Sequence, residues 1–151
     1  MSKTALFIVL MTALLAAGCS APTSDTILYT PPALGNEWDV WMMQSGGIMG
    51  MMRSVQVFSD GVYTVTDSRT DRTITSSLAN TEIVGLQGMI TEADFIIPKP
   101  SGVCADCFVY NLDIQWEGKK VVVELDDLSL PESDLEPLVT YLRNLMDSTL
   151  N

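Results

Sequence analysis

The stretch RSVQVFSDGVYTVTDS, from Arg53 to Ser68, decides the class of fold. In its first half Val55 and Val57 alternate with Gln56 and Phe58. A two-residue period of this kind is typical of a β-strand that buries one face. Asp60 and Gly61 then supply the residue types that a tight hairpin turn requires, and a second alternating run follows. The stretch therefore predicts an antiparallel β-hairpin.

Further strands are expected on both sides of this hairpin. The segment from Trp38 to Gln44 alternates in the same way, and the segment from Arg72 to Ser76 is a candidate for a further, shorter strand. The clearest strand runs from Phe108 to Trp116. The sequence EGKK then turns the chain back into VVVELDD, from Val121 to Asp127.

Two segments have a helical period instead. One extends from about Thr81 to Thr91, and the other lies within PESDLEPLVTYLRNLMDS, from Pro131 to Ser148. The second has the apolar stripe of an amphipathic helix that packs on a sheet. The chain is thus expected to be an α+β domain, with a single antiparallel β-sheet of about four to five strands packed by two helices, one central and one C-terminal.

The amino-terminal residues have the pattern of a bacterial lipoprotein signal. Lys3 precedes an apolar run from Ala5 to Ala17, which is short for a membrane span, and LAAGC resembles a lipobox. We therefore expect residues 1–18 to be a signal peptide and Cys19 to carry the lipid. The alternative is an ordinary signal peptide, with Cys19 discarded or left free.

The expected organisation has three parts. After the signal peptide, residues 19–36 contain prolines and small polar residues and are expected to form a tether, with a few residues near Ile27 to Tyr29 able to dock on the domain. Residues 37–151 are expected to form the domain. Ser20 follows the lipidated cysteine, which favours the outer membrane if the cell is Gram-negative. The expected location is the bacterial cell envelope, on the extracytoplasmic side.

Composition excludes several classes of function. There are 19 acidic and 8 basic residues, a net charge of −11, and no histidine. Such a charge opposes binding to nucleic acid and to anionic lipid headgroups. Without imidazole, serine triads, cysteine–histidine pairs and the familiar zinc sites are unavailable. No enzymatic activity, cofactor or metal site is expected.

Cys104 and Cys107 lie close together in GVCADCFVY. Outside the cytoplasm such a pair is most often a structural disulfide. The alternative is a thioredoxin-like redox pair, which requires a helix amino terminus to lower a thiol pKa. A strand pattern follows Cys107 directly, so the structural disulfide is favoured.

The segment MMQSGGIMGMMRS, from Met42 to Ser54, allows three interpretations. Met49, Met51 and Met52 could share a Cu(I) ion, since thioethers suit soft metals. The methionines could instead fill the core. The third interpretation is an exposed contact loop, because glycines are used where the chain needs positive φ or close backbone approach.

The order of motifs gives a family resemblance. A double-glycine turn with a following arginine (SGGIMGMMRS), a hairpin, a helix ending in ADF, the strand DCFVYNLDIQWEGK, an acidic VELDD and a leucine-rich helix occur in that order. Across Trp38 to Met146, this chain resembles emfourin, the protealysin-associated inhibitor of thermolysin-like metallopeptidases. The lipid anchor and the cysteine pair depart from that pattern.

The resemblance implies a surface-tethered protein that plugs the cleft of a secreted thermolysin-like zinc metallopeptidase. The partner-binding loop would comprise Gly46, Gly47, Ile48, Met49 and Gly50, together with Arg53. The main alternative is a binding or assembly lipoprotein of the envelope that uses the same fold without inhibiting a peptidase. A Cu(I)-binding protein is the third interpretation.

Overall fold

A computed structural model describes residues 28–29, 32–96 and 104–151. The elements within these ranges are, in chain order, β1 (Leu28–Tyr29), β2 (Trp38–Gly46), β3 (Met51–Phe58), β4 (Val62–Asp67), β5 (Arg72–Ser77), α1 (Asn80–Glu92), β6 (Phe95–Ile96), β7 (Phe108–Trp116), β8 (Lys119–Asp126), a short 3₁₀ helix (Leu130–Glu132) and α2 (Glu136–Leu150). The α+β class, the antiparallel sheet and the two helices, one central and one C-terminal, are confirmed.

The main sheet has six strands, in the order β5-β4-β3-β2-β7-β8, and every neighbouring pair is antiparallel. The expected count of four to five was slightly low because β5 carries little hydrophobic signal. Ile74 is its one apolar residue and is only half-buried. Cross-strand hydroxyl pairs support this edge strand instead, with Thr64 to Thr75 at 3.1 Å and Thr66 to Thr73 at 3.2 Å.

β2 is one of the two central strands, and the alternation of its side chains shows the two faces of the sheet. Trp38, Val40, Met42 and Gln44 are buried, whereas the residues between them point to the opposite face. β2 pairs with β3 on one side and with β7 on the other, so the buried residues of all three strands form one layer. The predicted β3–β4 and β7–β8 hairpins are both present.

Both helices cover this buried side. α2 buries Leu138, Val139, Leu142 and Met146, and α1 buries Leu86 and Ile90, all in the same core as the sheet. α2 shows the amphipathic spacing that the sequence predicts, because its apolar residues recur every three or four positions. The α1 helix begins where the Glu82 carboxylate accepts a hydrogen bond from the Ala79 amide at 2.8 Å.

A separate two-stranded sheet joins the segment before the domain to the region after α1. Leu28 pairs with Ile96 and Tyr29 pairs with Phe95. The predicted signal peptide and the lipid-carrying Cys19 lie outside the described residues. No helix of the described part is both long and apolar enough to cross a membrane.

Candidate functional site

The β2–β3 hairpin ends in a turn, Gly47–Gly50, that depends on glycine. Gly46, Gly47 and Gly50 have φ values of 105°, 70° and 57°. Positive φ is costly for residues with a Cβ atom, and it is the ordinary range for glycine. The Gly50 amide donates to the Gly47 carbonyl at 3.0 Å and closes the turn.

The turn also rests directly on the start of β7. The Gly47 amide donates to the Cys107 carbonyl at 3.2 Å. A Cβ atom on Gly46 would lie 2.5 Å from the Cys107 carbonyl oxygen, and one on Gly47 would lie 2.7 Å from the Phe108 ring. Gly46 therefore allows a close approach of two backbones that a larger residue would prevent, whereas a Cβ atom on Gly47 would meet only the end of the Phe108 side chain.

The segment beneath the turn is fixed in two ways. Cys104 and Cys107 form the predicted disulfide, with Cα atoms 5.4 Å apart. The Asp127 carboxylate accepts hydrogen bonds from the Phe108 amide and from the Tyr110 hydroxyl, each at 2.8 Å. Burial raises the pKa of Tyr110, and its hydrogen bond to Asp127 raises that pKa further, so the phenol stays protonated as a donor.

The tip of the hairpin projects apolar side chains into solvent. Ile48 is 87% exposed and Met49 is 68% exposed. On the other side of the turn, the Arg69 guanidinium donates to the Met49 carbonyl at 3.1 Å. The tip is therefore an apolar protrusion whose backbone is hydrogen-bonded to the fold on both sides of Ile48.

Arg53, the remaining residue of the predicted loop, is placed away from the tip. It lies on the core face of β3, where its guanidinium contacts Asp67 at 3.3 Å and Asp147 of α2 at 3.1 Å. Burial raises the pKa of Asp67. Hydrogen bonds from the Arg69 and Thr70 amides and the nearby Arg53 charge outweigh that effect and leave the pKa below its usual value.

The methionines of this region divide between the two faces of the sheet. Met42 is fully buried in the core. Met51 and Met52 are consecutive in β3, so their side chains point to opposite faces and cannot converge on one ion with Met49. In residues 28–29, 32–96 and 104–151, no group of three or more histidine, cysteine, aspartate or glutamate side chains could hold a metal ion.

The structure thus brings together five of the six predicted loop residues with the disulfide, and it separates Arg53 from them. Sequence reasoning missed the contact between the turn and Cys107, because no local pattern reports which distant strand lies beside a turn. It also missed Trp41 and Met43, which lie half-buried on the sheet face opposite the core. Their alternation with buried residues was the available signal.

Comparison with known proteins gives no assignment. No protein-family model matches the chain, and no curated protein matches it.

Proposed function

We propose that this protein is anchored by a lipid in the bacterial cell envelope and inhibits a thermolysin-like zinc metallopeptidase. It does so by inserting its tip, Ile48 and Met49, into the cleft of the peptidase. The observation that carries the proposal is the projection of these two apolar side chains from a hairpin turn whose backbone is hydrogen-bonded to the fold. The catalytic groups belong to the peptidase, and this chain acts by fitting and blocking the cleft. The motif resemblance to emfourin gives the class of target.

Burial of the tip supplies part of the binding energy. Fully burying an apolar side chain of this size contributes about 1.5–3 kcal/mol. Ile48 and Met49 together therefore supply a substantial part of the free energy of binding to the peptidase. The turn is already held by glycine geometry and by its contact with Cys107. Little conformational entropy is therefore lost when the tip is bound.

The bonded backbone also favours inhibition over cleavage. Gly47 donates to Cys107, and the Met49 carbonyl accepts from Arg69. A peptidase that draws the tip into an extended, cleavable conformation must break these contacts. We expect cleavage at the tip to be slow for this reason.

Lipid attachment at Cys19 would hold the inhibitor at the membrane surface. Each buried methylene contributes about 0.8 kcal/mol, and the several acyl chains of a lipoprotein give stable anchoring. The chain between Cys19 and β1 spans at most about 32 Å when extended. Anchoring raises the local concentration of inhibitor near enzymes that are released at the same surface.

Fractionation tests the anchor separately from inhibition. The wild-type chain is expected in the membrane fraction, with a cysteine-dependent lipid modification visible by mass spectrometry. Cys19→Ser should move the protein out of that fraction. A Cys19→Ser protein that stays membrane-bound to the same extent contradicts lipid anchoring through this residue.

An inhibition assay tests the tip. The full chain carrying Cys19→Ser is titrated against thermolysin and a second thermolysin-like peptidase with a casein substrate. The double variant Ile48→Ser/Met49→Ser should weaken inhibition by roughly 100-fold, which corresponds to about 3 kcal/mol of lost burial. Val84→Ser is the matched control, because Val84 is an apolar residue of α1 that is 67% exposed.

Two results contradict the proposal. Undiminished cleavage by both peptidases at excess wild-type chain removes the inhibitor function for these targets and favours a non-inhibitory envelope binding protein. Equal inhibition by the wild type and the double variant removes the tip as the inserted element.

A further inference from the structure

The face of the main sheet opposite the core carries a continuous apolar stripe. We define the open stripe as Met52, Met43, Trp41 and Phe58. Met43 and Trp41 follow each other along β2. Met52 lies diagonally beside Met43, and Phe58 lies diagonally beside Trp41, both on β3. Met52 is 47% exposed and Phe58 is 38% exposed.

Within the described ranges, both helices pack on the core side of the sheet and leave the open stripe uncovered. Large apolar side chains on an antiparallel sheet normally face the core, and polar residues face water. On β4 and β5 this face is mainly polar, although Val62 is 38% exposed there. Thr64, Thr66, Thr73 and Thr75 fill the same face on β4 and β5 and bond to one another.

The opposite flank of the open stripe, on β7 and β8, carries charged side chains beside Val122, which is 51% exposed. Asp113 of β7 lies directly opposite Trp41 of β2, and Glu124 is exposed on β8. One Asp113 oxygen forms an ion pair with Lys120, whereas Oδ1 is buried and has no hydrogen-bond partner in the described part of the chain. The Asp113 charge is therefore paired within the fold, and the negative charge that this flank presents to a partner comes from the exposed Glu124.

The tip alone is too small for a stable interface. Specific protein complexes bury roughly 800 Å² on each partner, from about 20–30 residues, whereas the tip exposes two large side chains. Additional contact area must adjoin the tip. The open stripe does so, because Met52 belongs to the strand that leaves the turn.

We propose that the peptidase that receives the tip also covers the open stripe from Met52 to Trp41, an inference that rests on the proposed function. The matching peptidase surface is an apolar ridge beside the cleft, with lysine or arginine on the side that faces the exposed Glu124. Trp41 is the energetic centre of this contact, since large aromatic residues in the middle of an interface dominate binding.

The test measures inhibition constants and oxidation together. Trp41→Thr, in the full chain with Cys19→Ser, should weaken inhibition at least tenfold against the peptidase that the wild type inhibits. Thr75→Ala lies on the same face, outside the open stripe, and should change the inhibition constant by less than twofold. Thermal unfolding of each variant shows whether it is folded, and Trp41→Phe should restore most of the inhibition.

A direct readout does not depend on folding of any variant. Exposed methionines are oxidised to sulfoxides by dilute peroxide, whereas buried ones are protected. Peptide mass spectrometry of the wild-type complex should show slower oxidation of Met43 and Met52 than in the free chain. Met42 is fully buried and serves as the internal reference.

Each outcome decides between the two proposals. If the tip variant weakens inhibition while Trp41→Thr does not, and Met43 and Met52 oxidise equally fast in the complex, the open-stripe inference is overturned and the proposed function stands. A wild-type chain that inhibits neither peptidase removes both. A chain that is dimeric alone and becomes monomeric with Trp41→Thr assigns the open stripe to a second copy, which also overturns the inference.

Discussion

The backbone amide of Gly47 donates to the carbonyl oxygen of Cys107 at 3.2 Å, so the glycine-rich turn and the disulfide form one structural unit. The sequence presents them as separate features with most of the domain between them. In the fold, antiparallel pairing of β2 with β7 places Gly46 opposite Phe108 and brings the two together. Rigidity of the tip therefore depends on residues from both segments.

The glycines of the turn are expected to differ in their tolerance of alanine. Gly46→Ala should lower the free energy of unfolding by more than 2 kcal/mol, because the strained φ adds about 1–2 kcal/mol to a clash with Cys107. Gly50→Ala should cost about 1 kcal/mol, since its Cβ atom meets nothing within 4 Å. Urea unfolding of the variants measures both values.

The comparison with Gly50 isolates the close approach from the effect of φ. Equal losses for the two variants would mean that backbone conformation alone makes glycine necessary, and that the contact with Cys107 contributes nothing. A Gly46→Ala variant as stable as the wild type would contradict the described turn geometry.

Loss of the disulfide is expected to loosen the tip more than it destabilises the fold. The Cys104→Ser/Cys107→Ser variant removes a very small covalent loop, for which the chain-entropy estimate is about 2 kcal/mol or less. Hydrogen exchange at the Gly47 amide should nevertheless accelerate strongly, because its acceptor belongs to Cys107. The Ser59 amide, which donates to Trp38 at 2.9 Å, is the control.

If the Gly47 and Ser59 amides accelerate by the same factor, the disulfide acts on global stability and not on the tip. If neither changes, the disulfide is not needed to hold the Cys107 carbonyl in place.

The parts of the fold that sequence predicted are those with strong local patterns. The β3–β4 hairpin combines alternating valines with an Asp-Gly turn, and α2 has apolar residues at helical spacing. The local sequence pattern was therefore sufficient to predict both elements. β5 was harder because its support comes from cross-strand threonine pairs and not from burial. Arg53 was assigned to the loop by its position in the chain, whereas the strand alternation directs it toward Asp67 and Asp147.

The site was predictable only in part, for a related reason. Glycine positions and apolar residues identify a shaped turn and its projecting side chains. They do not indicate that the turn lies against Phe108, or that the sheet face bearing Trp41 remains uncovered by the helices. Both facts depend on contacts between segments far apart in sequence, which a local period does not encode.

Copper binding at the methionines is expected to be absent. Met51 and Met52 lie on opposite faces of β3, so the set of thioethers that Cu(I) prefers cannot form with Met49. Titration of Cu(I) with ascorbate as reductant should give the same weak response for the wild type and for the Met49→Ala/Met51→Ala/Met52→Ala variant. A stoichiometric site in the wild type that the triple variant loses would overturn this expectation and support the copper-binding interpretation.

Acid sensitivity should depend on Asp67. Burial raises its pKa, but hydrogen bonds from the Arg69 and Thr70 amides and the Arg53 charge outweigh burial and hold the pKa below the usual carboxyl value. A carboxyl with a lowered folded-state pKa stabilises the fold in full above its unfolded pKa, near 4, and this contribution disappears as pH falls through the lower folded-state value. The difference in unfolding free energy between wild type and Asp67→Asn should therefore be largest from pH 5 to 7 and should shrink toward pH 2. Urea unfolding across that range measures it, and a difference that stays constant with pH would show that the Asp67 carboxylate charge is not what binds β4 to Arg53.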